Sequence, residues 1–295
     1  MMNSTMIDLK LAADILGSQA MVLIKGRFED VPLPMRLQYH DTVHTYGVRE
    51  RAVAIALAIG LPDREVVLTD IAAAFHDTVQ AWHPVDKGNG IIIRQRHAGQ
   101  NEVTSAQEAV NAMSGPFAPF TFLCEEYGIV ASAIIATIPA WSVEHGTVIQ
   151  PFLTPCSHPV ARAVALADIG SPGMDPAGFA KDAPALFAEE QLDVIATLAK
   201  ADRADDIDEA TQEQYRARYI NWLKSQHGFA CGRRALLRKE LEGLNANARL
   251  FVSALFSHFD ESIESAEAAH RRAQTMNFVP LMRQILPQAF PCGAR

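Results

Sequence analysis

Adjacent His76 and Asp77 close the apolar run Ile71-Ala72-Ala73-Ala74-Phe75. Two ionisable side chains directly behind a strongly apolar helix are costly to bury without a partner, so this pair constrains the fold more than any other feature. Imidazole nitrogen suits transition ions and carboxylate oxygen also suits harder ones, and the pair reads as the centre of a metal site. Two further ligands are needed. Upstream, Tyr39-His40-Asp41-Thr42-Val43-His44-Thr45 offers His44; downstream, Ala163-Val164-Ala165-Leu166-Ala167-Asp168 ends a second apolar run on Asp168. Taken singly, His44 reads more readily as a histidine satisfied at a helix start, and Asp168 as a helix-end residue facing water, than as ligands. A fold that uses all four must bring three distant segments to one point.

Four pieces stand in order over roughly residues 30 to 175: YHDTVHTYGV, AAFHDTV, NEVTSA and ALAD. Together they resemble the motifs of the HD superfamily of metal-dependent phosphohydrolases. An HD dipeptide alone is weak, because adjacent His and Asp occur by chance in many chains; the ordered set is far more specific. The resemblance implies an all-α fold, an HD-domain helical bundle, with His44, His76, Asp77 and Asp168 holding one divalent transition metal. Manganese, iron, cobalt, nickel and zinc all accept such mixed nitrogen and oxygen ligands. Two neutral imidazoles and two carboxylates leave the ion little net charge and leave coordination positions open. A bound divalent ion lowers the pKa of water from about 15.7 toward roughly 7, the requirement for hydrolysing a phosphate ester or nucleotide.

Around the ligands, Glu102 in NEVTSA is a candidate catalytic residue beside Asp77, orienting water or accepting a proton, although a glutamate in a first helical turn also simply favours the dipole. Arg36, Arg94 and Arg96 are candidates for binding phosphate, since a guanidinium grips such oxygens bidentately. His40, His97 and His145 are assigned supporting positions around the site. A dinuclear member of the superfamily would use two extra histidines between the HD pair and the last aspartate. Here Trp141 stands where many relatives have a histidine, with His145 four residues later, and one metal is expected. Tyr215, Arg218, Trp222, Gln226, Phe229 and Arg233 recur at near-helical spacing. They read as a helix packed by its aromatics, with a lesser reading in which the segment covers the site and lends Arg218 or Arg233 to substrate.

Organisation follows from periodicity and breakers. Leu11, Ile15, Leu16, Val22 and Leu23 predict an outer helix closed by Gly26. Asp41 and Gly60 bracket a helix over about 42 to 59, and Asp63 would cap the next, ending near His76. WHPVDKGNG reads as loop, as does 139 to 157 with its three prolines. Helices are expected at about 98–113, 120–138, 158–169, 191–201, 209–224, 229–244 and 248–272, with no convincing strand set. The charge run over 201–219 suggests a catalytic portion, 1–205, and a helical extension, 206–295, packed on the same core.

Composition sets the outer limits. A chain of 295 residues, 49% hydrophobic and 20% charged, is an ordinary globular one. Its net charge of -8 argues against an extended nucleic-acid surface and leaves small anionic substrates open. Cys124, Cys156, Cys231 and Cys292 form no CxxC pair and read as reduced, buried thiols. Asp8, Lys10 and Asp14 break any signal-peptide core, and the longest apolar run contains Pro139 and is too short to span a membrane, so a cytoplasmic protein is expected. A homodimer stays open. Nucleoside monophosphates, cyclic nucleotides, guanosine polyphosphates and non-nucleotide phosphates are all admissible substrates. Two other functions are kept in view: a dinuclear iron oxygenase on the same fold, and a non-enzymatic helical signalling module with an inherited metal site.

Overall fold

Helices make up 67% of the structure, a computed structural model that describes residues 4–115, 118 and 120–291, and the all-α expectation holds. In chain order they are α1 (Ser4–Ile24), α2 (Thr42–Ile59), α3 (Asp63–Phe75), α4 (Gln100–Ser114), α5 (Cys124–Ile135) and α6 (Pro159–Asp168). A short α7 (Ser171–Met174) leads to α8 (Pro176–Glu190) and α9 (Leu192–Leu198). The order is completed by α10 (Glu209–Glu240), α11 (Ala246–Leu255), α12 (Phe259–Thr275) and α13 (Phe278–Ile285).

α3 is the central post, packed by α1, α2, α4, α5 and α6. Leu68 and every residue from Ile71 to Phe75 are at most 1% exposed, so this helix is apolar on all sides where it nears His76. Its alanines let neighbours approach closely. The facing side of α1 is built likewise from Ala12, Ala13, Leu16 and Ala20, while Leu11 and Val22 stay exposed. α6 is the second fully buried post, with every residue from Val160 to Ala167 inside.

Charged side chains fix how these posts meet. Arg49 of α2 grips Asp70 of α3 through two hydrogen bonds of 2.7 and 2.9 Å. Arg51 of α2 donates to the carbonyl of Ala167 at 2.9 Å, a cation at the carboxyl end of α6 where the helix dipole favours it. Helix ends on α2 are as the sequence reads: the Asp41 carboxylate accepts from the His44 N–H at 2.8 Å, and Gly60 stops the helix at φ +84°. Asp63, by contrast, lies inside the first turn of α3 and makes no cap; Pro62 precedes the helix and fixes the chain direction.

Two hairpins replace stretches expected to be irregular. β1 (Trp82–Asp86) pairs antiparallel with β2 (Ile92–Arg96), and β3 (Ala140–Ser142) with β4 (Thr147–Ile149). Gly88, Asn89 and Gly90 all take positive φ and reverse the chain, and each strand is an edge on which Pro84 sacrifices no ladder hydrogen bond. Turn residues that read as a breaker are here the tip of a hairpin.

Other boundaries moved for identifiable reasons. α1 runs past Gly26 as a single π-helical turn, Lys25–Glu29. The sequence reads as nearly continuous helix only from about residue 184, because Pro176 and Pro184 obscure the first half of α8; Pro176 sits at N1, where it is tolerated. α10 is one helix rather than two. Its apolar spacing lapses around Ser225 and Gln226 because that stretch faces a cavity instead of the core. The segment 248–272 divides into α11 and α12 at Phe256, whose ring stacks with Phe259 at 6.1 Å over the α7 turn, while the His258 N–H donates to the Gly173 carbonyl at 3.0 Å. Leu241, Val252, Phe256 and Phe259 share one buried cluster with α2, α3 and α6. Cys124 and Cys156 are exposed free thiols and Cys231 is half-buried, against the buried expectation; Cys292 lies outside the described residues. No helix among the described residues is long and apolar enough to cross a membrane.

Candidate metal centre and adjoining cavity

Three helix ends converge on one point. His44 lies in the first turn of α2, where the Asp41 cap starts the helix; His76 and Asp77 follow the last turn of α3; Asp168 ends α6. α3 stops where it does because the His76 Nδ1–H donates to the Ala73 carbonyl at 2.7 Å, satisfying a carbonyl that the helix end leaves free. That bond occupies Nδ1 and leaves His76 Nε2 facing the cluster, where it can take a proton or an ion.

Each of the four residues offers one ligand atom, and all four atoms lie within 4.8 Å of one another. His76 Nε2 is 2.9 Å from Asp77 Oδ2 and 3.5 Å from Asp168 Oδ1; His44 Nε2 is 3.4 and 3.6 Å from the same two oxygens. Ligands bound at about 2.0–2.2 Å to a common ion stand about 3 to 4 Å apart, so the spacing fits a shared ion. Both Nε2 atoms are buried without a hydrogen-bond partner, the condition a bound cation would relieve. The cluster can therefore hold a metal ion, with the choice among transition metals left open by its chemistry. His97 and His145 are not in it: His97 shares a 2.8 Å hydrogen bond with His83 on the first hairpin, and His145 lies in the β3–β4 turn 3.9 Å from Glu144.

Electrostatics within the cluster are strongly coupled. Burial opposes charge on Asp77, but His76, His40 and His44 hold its carboxyl well below the ordinary range; Asp168 is likewise held down by His44 and His76. Burial also opposes charge on His76, and the carboxylates of Asp77 and Asp168 outweigh it, raising that imidazole well above 6.5. The outer oxygens are steered by two amides, Gln80 donating to Asp77 Oδ1 at 2.6 Å and Gln150 to Asp168 Oδ2 at 3.2 Å.

His40 does stand beside the cluster, with its ring 5.8 Å from that of His44. Its Nδ1–H donates to Glu189 Oε1 at 2.5 Å, while Glu189 Oε2 accepts the backbone N–H groups of Tyr39 and His40 at 3.1 Å. Glu189 of α8 thus clamps the chain that leads into α2 and its ligand. Sequence reasoning missed it, because the only signal was an unpaired His40 with no hint of a distant partner. Burial pushes Glu189 up, but the His40 ring and N–H, with Arg96 beyond, hold it at about 2 against an ordinary 4.5. A carboxyl depressed in the folded state contributes stability that is fully present above 4.5 and is lost as pH falls through about 2. Unfolding free energy should therefore fall more steeply with acid in the native protein than in Glu189→Gln, by about 3 kcal/mol over that window. Urea titrations of both proteins at a series of pH values check this, and parallel curves would refute it.

The cluster opens into a cavity of about 400 Å³. Arg96 lines it, with Nη2 3.5 Å from Glu102 Oε1 and 4.0 Å from Asp77 Oδ1. Glu102 lines it too; it is 2% exposed, and its Oε2 accepts the Gly99 N–H at 2.5 Å, so the helix-start contact and a place in the cavity coexist. Arg36 and Arg94 are not brought to it. Arg94 is buried over the Trp82 ring and donates to the carbonyls of Pro34 and Arg36, whereas Arg36 is exposed and reaches the Val31 carbonyl. α10 supplies Trp222, Gln226 and Phe229 to the lining, but its arginines are spent elsewhere, Arg218 on Asp193 and Arg233 on Glu240. Two acids of α8, Asp182 and Glu190, also line the cavity and were missed: Asp182 precedes the part of α8 that is legible in the sequence, and for Glu190 the helical pattern does not say which face meets a cavity. Burial and the neighbouring Glu189 push Glu190 up to about 7 against the pull of Arg96.

Compared with protein-family models, curated proteins and solved structures, the chain matches none.

Proposed function

We propose that this protein is a metal-dependent phosphohydrolase of the HD superfamily that cleaves a phosphate ester or nucleotide by metal-activated water. One observation carries the reading: two buried imidazole nitrogens without partners meet two carboxylate oxygens at the base of a cavity bordered by a guanidinium. His44, His76, Asp77 and Asp168 would hold one divalent transition metal, which when bound supplies Lewis acidity toward a phosphoryl oxygen and acidifies water toward neutral pH.

The remaining steps belong to the chain itself. Arg96, steadied by Glu102, binds the phosphate oxygens that face away from the ion. Glu102 accepts the proton of the attacking water through the oxygen not committed to Gly99. Glu189 and His40 keep the start of α2 in register so that His44 stays in place. In this reading residues 1–205 carry the chemistry, and the extension, 206–295, completes the substrate cavity through α10.

Metal analysis of the purified protein should find roughly one transition ion per chain, as a single four-ligand set implies. A stoichiometry near two, with His97 or His145 coordinated, would overturn the mononuclear reading and revive the oxygenase. No metal after reconstitution would remove the site altogether. With the ion identified, a broad phosphoester screen tests the activity, and inactivity toward every ester by fully loaded protein would favour the signalling-module alternative.

A further inference from the structure

Charge in the cavity is distributed one-sidedly. Among its lining residues Arg96 is the sole lysine or arginine, whereas Glu102, Asp182 and Glu190 add carboxylates beyond the two that face the ion. Asp77 and Asp168 would balance most of a divalent ion's charge, so the ion could take one phosphoryl oxygen as a Lewis acid while the Arg96 guanidinium pairs with the other oxygens of a single phosphate. Each further phosphate would enter a space without a second lysine or arginine, beside the Asp182 carboxylate and beside Glu190, which is held at about 7 and carries part of a charge at neutral pH, so its added charge would meet no guanidinium or ammonium in a partly desolvated site.

The rest of the wall is mostly apolar, interrupted by neutral polar side chains such as Thr137, Ser171, Ser225 and Gln226, and its aromatic part is held in place. α8 turns Phe179, Asp182, Leu186 and Glu190 inward at helical spacing, and α10 turns Trp222 and Phe229 toward them. The rings of Phe179 and Phe229 lie 6.2 Å apart, and the Trp222 indole N–H donates to the Ala183 carbonyl at 2.7 Å, fixing its plane before any ligand arrives. A sugar or short polar alcohol would leave this surface uncompensated. A flat or apolar group would bury it.

Resting on the phosphohydrolase reading, we infer that the cavity selects a phosphomonoester carrying one phosphate on an aromatic or other apolar body, and rejects polyphosphates. Arg96 takes the phosphate, and the Phe179, Trp222 and Phe229 wall takes the body. In the reaction the water oxygen bonds to phosphorus while the bond from phosphorus to the ester oxygen breaks. The departing alcohol takes a proton, and inorganic phosphate is the other product.

The test uses the metal-loaded full chain and esters whose leaving alcohols are similar in acidity. kcat/KM is measured for 2-phenylethyl phosphate, ethyl phosphate and 2-phenylethyl diphosphate, and binding of 3-phenylpropylphosphonate and propylphosphonate is measured by calorimetry. The phenyl compounds should be favoured over the short ones by roughly 10- to 100-fold in both measurements, the value of burying a ring. The diphosphate should be poorer than the monophosphate by at least about tenfold. Trp222→Ala should collapse the phenyl preference, and Phe229→Ala provides the same test should loss of the Trp222 hydrogen bond disturb folding. Equal use of phenyl and ethyl esters, or a preference for the diphosphate, would overturn the inference while leaving the hydrolase intact. If no ester is cleaved, the hydrolase reading fails by itself. The phosphonates then decide separately, a retained phenyl preference sustaining the cavity's selectivity and its absence ending it.

Discussion

Asp77→Ala should empty the metal site and abolish phosphoester hydrolysis while leaving the protein helical. Asp77 Oδ2 is the oxygen nearest both imidazoles, at 2.9 Å from His76 Nε2 and 3.4 Å from His44 Nε2. Without it, two neutral nitrogens and the single carboxylate of Asp168 face the cation, and both a ligand and half the balancing charge are gone. The fold should persist, because α3 is held by the buried run from Ile71 to Phe75 and the His76 Nδ1–H bond to Ala73, neither of which needs the carboxylate. Metal content should drop from roughly one per chain to background, with far-ultraviolet circular dichroism unchanged. Full metal retention in this variant would remove Asp77 from the ligand set.

Glu102→Gln should separate a proton acceptor from a ligand. Glutamine keeps the shape and can still accept the Gly99 N–H that Glu102 Oε2 now takes, since either residue serves at this position of a capping box. Metal content and helicity should therefore match the native protein. What is lost is the ability to take a proton, and kcat should fall by roughly 10² to 10⁴. A rise in KM with kcat unchanged would mean that Glu102 acts only by steadying Arg96, 3.5 Å away. Native turnover and KM together would reduce Glu102 to a helix-start residue.

The parts of this protein legible in its sequence are those in which cause and effect lie within about one helical turn. Asp41 caps α2 by bonding the N–H of His44 three residues on, and Gly60 ends it by adopting a positive φ that few other residues tolerate. The apolar run Ile71–Phe75 before His76 implies burial on every side, because over that last turn no face of the helix carries a group able to meet water. The four candidate ligands were legible for a different reason, as an ordered set of short pieces that resembles the motifs of a known metal-binding superfamily.

What the linear pattern could not assign were partnerships made across the bundle. Arg94 and Arg96 are chemically identical and two residues apart, yet one is consumed by the carbonyls of Pro34 and Arg36 while the other lines the cavity. Glu189 clamps His40 from α8, a partner 149 residues away that no local pattern indicates, and Gln80 and Gln150 steer ligand oxygens without belonging to any motif. α10 seemed to break where its apolar spacing lapsed, but a lapse caused by a cavity looks the same in sequence as one caused by a turn. By itself the sequence determined that the chain is helical, where most of the helices lie, and which side chains are able to bind a metal, since backbone hydrogen bonding and side-chain chemistry are local properties. Which arginine meets the cavity, which carboxylates crowd it and which aromatics wall it were decided only by how α8 and α10 pack together across the cavity from Asp77 and Asp168, because faces far apart along the chain become neighbours only when the core closes.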